Sequence, residues 1–175
     1  MAELGTRFDP RMREYVRWTP AENIHITLQF LGDTGPDQIP TLIDCLSETA
    51  GNSAAMTIAA GKTGAFPLFR NPKILWIGFD GETKRLEQLQ GRVEGSLARL
   101  GFEAERRKFT VHATVGRVLR GLNGRESADL GFAWKRMAGP RNYEKFLVDS
   151  FTLFRSHLKS RGPVYEAVHE FRLGG

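Results

Sequence analysis

Asn23-Ile24-His25-Ile26-Thr27-Leu28 and Thr110-Val111-His112-Ala113-Thr114-Val115 are two copies of one local pattern. In each, aliphatic residues alternate with polar ones, the period of two that marks a half-buried β-strand. That period puts His25 and Thr27 on one strand face and His112 and Thr114 on another, with the flanking aliphatics turned into a core. Imidazoles and hydroxyls on otherwise apolar strands must face water, each other or a ligand, because an unpaired buried polar group is costly. The competing reading is a pair of core histidines satisfied by ordinary hydrogen bonds. Only four histidines occur in the chain, and two of them fall in this one pattern.

Outward from the first motif, Thr19-Pro20-Ala21-Glu22 reads as a turn, and Asp9-Pro10 as the cap and opening of a short helix through Tyr15. Ile39, Leu42, Ile43 and Leu46 lie at helical spacing and predict an amphipathic helix over 37–48, its start near Asp37 or Gln38 because Pro40 is tolerated only in the first turn. Ala55 to Ala59 reads as a short strand, Gly64-Ala65-Phe66-Pro67 as a loop, and Lys73 to Phe79 as a buried strand. Residues 83–100 form the longest predicted helix, with Leu86, Leu89, Val93, Leu97 and Leu100 on one side and Gly101 at its end.

Outward from the second motif, the strand is expected from Thr110 to about Val118, followed by a Gly-rich, charged loop from Arg120 to about Asn142. Strands over 145–155 and 164–173 close the chain, joined by a turn containing Arg161-Gly162-Pro163. Helices and strands mix without a βαβ rhythm, which predicts an α+β fold with largely antiparallel sheets. No linker interrupts the chain, and residues 1–175 read as a single domain.

Composition narrows the function classes. A chain of 175 residues and 19.7 kDa suits one domain or two intimately packed half-domains. With 41% hydrophobic residues, 12 Phe and 3 Trp it has ample core material, which excludes disorder as a global state. The longest apolar stretch, Ile74 to Phe79, is far short of the roughly 20 residues a membrane helix needs. Residues 1–10 have no apolar core of the signal-peptide kind, so a cytoplasmic protein with no membrane partner is expected. Cys45 is the single cysteine, so no internal disulfide and no multi-cysteine metal site can form, and it reads as a buried helix residue. Residues 1–87 carry a net charge of −2 and residues 88–175 a net of +7. A basic half suits a polyanion, most commonly nucleic acid, and equally suits a solvated surface; charge alone does not decide.

Chemistry gives the histidine pair a reason. Cleaving a phosphodiester needs a base for the attacking oxygen and an acid for the leaving oxygen, and imidazole, with an ordinary pKa near 6.5, fills either role. The hydroxyls of Thr27 and Thr114 are placed to hold non-bridging phosphate oxygens. Such a pair works without metal or other cofactor, and two histidines without cysteine or a carboxylate triad make a poor zinc site.

Several segments, in order, resemble the two-histidine (2H) phosphoesterase superfamily, and within it the RNA 2′,3′-cyclic phosphodiesterases, also called 2′-5′ RNA ligases. They are Arg17-Trp18-Thr19-Pro20-Ala21-Glu22-Asn23 leading into the first motif through Gly32, Gly64-Ala65-Phe66-Pro67, and Ile74-Leu75-Trp76-Ile77-Gly78. Phe109 to Arg117 around the second motif and Arg161-Gly162-Pro163-Val164-Tyr165-Glu166 complete the set. The resemblance implies a bilobal fold of two pseudo-symmetric α+β halves around a cleft, one motif per half, which suits the 87-residue separation of His25 and His112. It implies hydrolysis of RNA 2′,3′-cyclic phosphate ends to 2′-phosphates, with reverse joining of ends, by a monomer. His25 would be the proton donor to the leaving O3′, His112 the proton acceptor from water, and Arg117 a phosphate ligand.

Two departures from the family pattern stand out. Residues 1–17 hold no convincing match to the family's N-terminal apolar strand, which would leave one sheet edge unpaired. Ala113 replaces a larger aliphatic on the core side, a matter of packing. Arg117 follows His112 by an odd offset, which under strict alternation sets it on the opposite face unless Gly116 supplies a bulge. His157 and His169 fit neither motif; His169 alternates with Tyr165, Ala167 and Phe171 and reads as structural, and Phe66 reads as a core aromatic, with a place lining the cleft as the alternative. A non-catalytic RNA-binding protein and a phosphodiesterase of small cyclic or 2′-5′ linked nucleotides are the alternative functions.

Overall fold

The structure, a computed structural model, describes residues 14–105, 107–137, 145–159 and 162–174. The proposed helix from Asp9 falls mostly outside them, as does Arg161 in the last turn; Tyr15 is a turn residue. The described elements are β1 (Val16–Trp18), α1 (Ile39–Gly51), β2 (Met56–Leu68), β3 (Asn71–Gly81), α2 (Thr83–Arg99), β4 (His112–Val118), α3 (Gly124–Arg136), β5 (Lys145–Val148), β6 (Ser150–Lys159) and β7 (Gly162–Arg172). Helices mix with antiparallel strand pairs, the expected α+β class. No helix among the described residues is long and apolar enough to cross a membrane.

The chain divides into two compact units, one of residues 1–26, 59–80 and 112–144, the other of residues 27–58, 81–111 and 145–175. In the first unit the strands lie in the order β1-β4-β3-β2, with β4 antiparallel to both β1 and β3. One face of this sheet carries the core. Val16, Ala65, Leu75 and Val115 pack there against Leu130 and Trp134 of α3. Trp134 is fully buried, and its indole N–H donates to the Gly64 carbonyl at 2.8 Å.

Two expectations fail in this unit. Residues 120–142 are not a loop throughout, because α3 occupies Gly124–Arg136. Asn123 caps it: the side-chain oxygen accepts from the Arg125 and Glu126 N–H groups at 3.0 Å each, and the Asn123 N–H donates to the Glu126 carboxylate at 2.9 Å. That reciprocal pair satisfies otherwise orphaned donors of the first turn. Gly64-Ala65-Phe66-Pro67 is not a loop either but part of β2, since Gly64 and Ala65 are buried within the sheet.

In the second unit α1 packs on α2 and on β7. Leu42, Leu46 and Ala50 of α1 and Leu86, Leu89, Val93 and Leu97 of α2 are buried, the stripes their spacing requires. α1 runs three residues past the expected end, and the Thr49 and Ser96 hydroxyls meet across the two helices at 2.8 Å. Cys45 is half-buried on α1, less enclosed than expected. β6 and β7 form a two-stranded ladder in which Phe151 stacks on Phe171 at 4.9 Å. His169 packs on Phe171 at 4.7 Å, and His157 bonds the Glu166 carboxylate at 2.8 Å. That hydrogen bond, with nearby Arg155, holds the Glu166 carboxyl below its ordinary pKa.

Candidate active site

β4 has two occupants along one edge. β1 pairs first, with Val16 opposite Val118, Arg17 opposite Arg117 and Trp18 opposite Gly116. The Thr19 N–H then donates to the Val115 carbonyl at 3.0 Å. Pro20 has no N–H to continue the ladder, and a 3₁₀ turn over Ala21–Asn23 carries the chain away. It returns as a single antiparallel bridge between Ile26 and Ala113. The strand expected over the first motif is therefore extended chain held at one rung rather than a regular ladder.

That rung sets the faces. Ala113 is buried with the core, so its neighbours His112 and Thr114 project from the opposite face. Ile26 pairs with Ala113, which turns His25 to that same opposite face. His25 is exposed and His112 and Thr114 are half-buried; Thr27, also half-buried, is the first residue of the second unit. Thus His25, His112, Thr114 and Arg117 all belong to the first unit, so the compact units do not deal out one histidine each. The His25 Nδ1 lies 2.8 Å from the Asn23 carbonyl. A carbonyl only accepts, so Nδ1 carries a proton and Nε2 is the atom at which this ring gains or loses one.

A bulge decides Arg117. Leu75 of β3 pairs with Gly116, yet Trp76 pairs with Thr114, so Val115 is an extra residue on β4 and the register shifts there. Beyond the shift Arg117 lies opposite Ile74, which shares its face with Trp76 and Gly78, the partners of Thr114 and His112. Simple parity fails for this reason: Arg117 shares the histidine face and is exposed on it.

Two aromatic rings border His112, one from β2 and one from β3. Phe66 is half-buried, not a core residue, and its ring meets the imidazole edge-on at 5.1 Å. Trp76 meets it at 5.8 Å and Phe66 at 5.2 Å, closing a three-ring cluster. The buried Trp76 indole N–H finds no hydrogen-bond partner among the described residues, so packing holds that ring. The Trp76 six-membered ring lies where a Cβ on residue 64 would stand, which is why a glycine occupies that position. Reading Lys73–Phe79 as a uniformly buried strand hid this; the alternation Ile74, Trp76, Gly78 against Leu75, Ile77 was the available signal. Gly64→Ala should displace Trp76, destabilise the fold by about 1–3 kcal/mol, and shift the His112 ring-proton resonances in NMR spectra. Unchanged resonances would separate the cluster from His112.

The model of the LigT-like phosphoesterase family matches residues 2–76 and 77–165 of this chain, and each stretch contains one His-x-Thr motif. The chain belongs to that family. An RNA 2′,3′-cyclic phosphodiesterase of Archaeoglobus fulgidus is 33% identical over 156 residues, covering 89% of this chain and 83% of the relative. Another of that name, from Aquifex aeolicus, is 30% identical over 160 residues, covering 91% and 82%. Among solved structures, a Thermus thermophilus protein superposes with a TM-score of 0.78 at 23% identity, covering 99% of this chain and 90% of that one. Escherichia coli LigT complexed with 3′-AMP gives 0.73 at 23% identity, covering 98% and 87%. This chain therefore has the LigT-like fold, and its own two His-x-Thr motifs are joined through the Ile26–Ala113 rung.

Proposed function

We propose that this protein hydrolyses the 2′,3′-cyclic phosphate ends of RNA to 2′-phosphates, using His25 and His112 as an acid–base pair. The observation that carries the reading is the shared face: His25, His112 and Thr114 flank the Ile26–Ala113 rung on the side away from the core. The names of the Archaeoglobus and Aquifex relatives support the substrate, and the 3′-AMP complex of the LigT neighbour supports nucleotide binding.

The cyclic phosphate lies between the two imidazoles. His112 takes a proton from water as the water oxygen bonds to phosphorus; the P–O3′ bond breaks, and His25 delivers its Nε2 proton to O3′. A 2′-phosphate and a free 3′-hydroxyl result. The hydroxyls of Thr27 and Thr114 donate to the non-bridging oxygens, and Arg117 balances the charge that gathers on them. With an RNA 5′-hydroxyl in place of water, the same transfers form a 2′-5′ linkage. One chain supplies every group named, so the reaction needs no residue from a second subunit.

Every group in this scheme is a side chain, so EDTA should leave turnover of a cyclic-phosphate oligoribonucleotide within about twofold of the untreated rate. A loss of a hundredfold or more, restored by one divalent ion, would replace the scheme with a metal-assisted one.

A further inference from the structure

Arg17 of β1 and Arg117 of β4 are direct cross-strand partners, and both are exposed. Directly opposed residues hold their Cβ atoms about 4.5–5.5 Å apart on one face, and like charges in that position repel. No ion pair forms at either guanidinium among the described residues. Val16 and Trp18, on either side of Arg17, pack toward the core, so Arg17 projects onto the histidine face together with Arg117. Two repelling cations kept side by side without a carboxylate make a site for an anion from outside the chain.

Position along the strand identifies that anion. The pair lies three residues beyond Thr114, with one of those residues absorbed by the bulge, roughly 7–10 Å along β4. One guanidinium can lean back toward a phosphate held at Thr114. The second is left facing whatever continues from it, and on an RNA end that is the neighbouring backbone phosphate. Resting on the reading of the histidine face as a cyclic-phosphate site, we infer that Arg17 binds the backbone phosphate next to the reacting end and so selects an oligonucleotide over a mononucleotide.

The test uses the whole protein and a 5′-fluorescein-labelled oligoribonucleotide ending in a 2′-phosphate, which cannot react. Its affinity is followed by fluorescence anisotropy across a range of salt concentrations, with adenosine 2′-phosphate as competitor. Arg17→Gln should weaken oligonucleotide binding about tenfold at low salt and reduce the slope of log affinity against log salt by about 0.7. It should leave adenosine 2′-phosphate affinity unchanged. Arg125→Gln removes an equal charge from the exposed surface of α3 and should alter neither affinity by more than about twofold. Equal weakening of both ligands by Arg17→Gln would put Arg17 on the reacting phosphate, and no weakening, or the same loss in Arg125→Gln, would make it a bystander; each result overturns the inference. Hydrolysis of the cyclic-phosphate form is measured separately. A wild type that binds through Arg17 but hydrolyses nothing would reject the catalytic reading and keep the oligonucleotide site.

Discussion

His25→Ala and His112→Ala are each expected to lower kcat/KM for a cyclic-phosphate oligoribonucleotide by roughly 10²–10⁴, the usual consequence of losing a positioned acid or base. The double variant should be little worse than either single one, because in the proposed scheme the two groups act in one step. Neither substitution disturbs the rung, since backbone groups make the Ile26–Ala113 pairing and both side chains leave the core face. The pH profile then divides the roles. A base must be unprotonated, so its requirement depresses the rate at low pH; an acid must be protonated, so its requirement depresses the rate at high pH. Residual activity of His112→Ala should lose the acid-side fall, and that of His25→Ala the alkaline-side fall. The opposite pattern would exchange the two roles, and near-normal turnover in either variant would end the assignment.

The largest expected loss of stability is at Trp134. This side chain is fully buried beside Leu130, it meets Trp18 at 6.3 Å, and it donates to the Gly64 carbonyl. Trp134→Ala removes the packing at about 3–5 kcal/mol and leaves that carbonyl without its partner at about 1 kcal/mol more. Losses of this size are a large part of the roughly 5–15 kcal/mol typical of a domain. Trp134→Phe keeps most of the ring and should cost only about 1–2 kcal/mol. Urea unfolding curves of the three proteins check the order. Equal midpoints for wild type and Trp134→Ala would remove Trp134 from the centre of the first unit's core.

The same tryptophan explains a misread stretch. Between Arg120 and Asn142, Gly121, Gly124 and Gly131 and a run of charges read as loop. Yet Ser127, Leu130, Gly131 and Trp134 are buried at helical spacing, and Asn123 with Glu126 forms a capping box three residues apart. Gly131 is a breaker by local propensity, but the helix passes so near the Phe69 backbone carbonyl that a Cβ at residue 131 would collide with it. Gly64 misled in the same way, punctuating a strand because Trp76 takes the space over it. In both cases the residue answers to an atom distant in the chain, and local propensity carries no record of such atoms.

By itself the sequence determined the two His-x-Thr motifs, the amphipathic helices over α1 and α2, and the mixed α+β class, because each is written in spacing between near neighbours. Only the tertiary structure decided which groups share the site. Arg117 joins the histidine face because β4 takes its extra residue where it pairs with β3, and a one-residue shift in pairing turns every later side chain over. Phe66 and Trp76 reach His112 from β2 and β3, and Arg17 faces Arg117 from β1. Alternation along one strand fixes faces only within that strand; the pairing of strands fixes them with respect to one another, and that pairing depends on contacts between residues far apart in the chain.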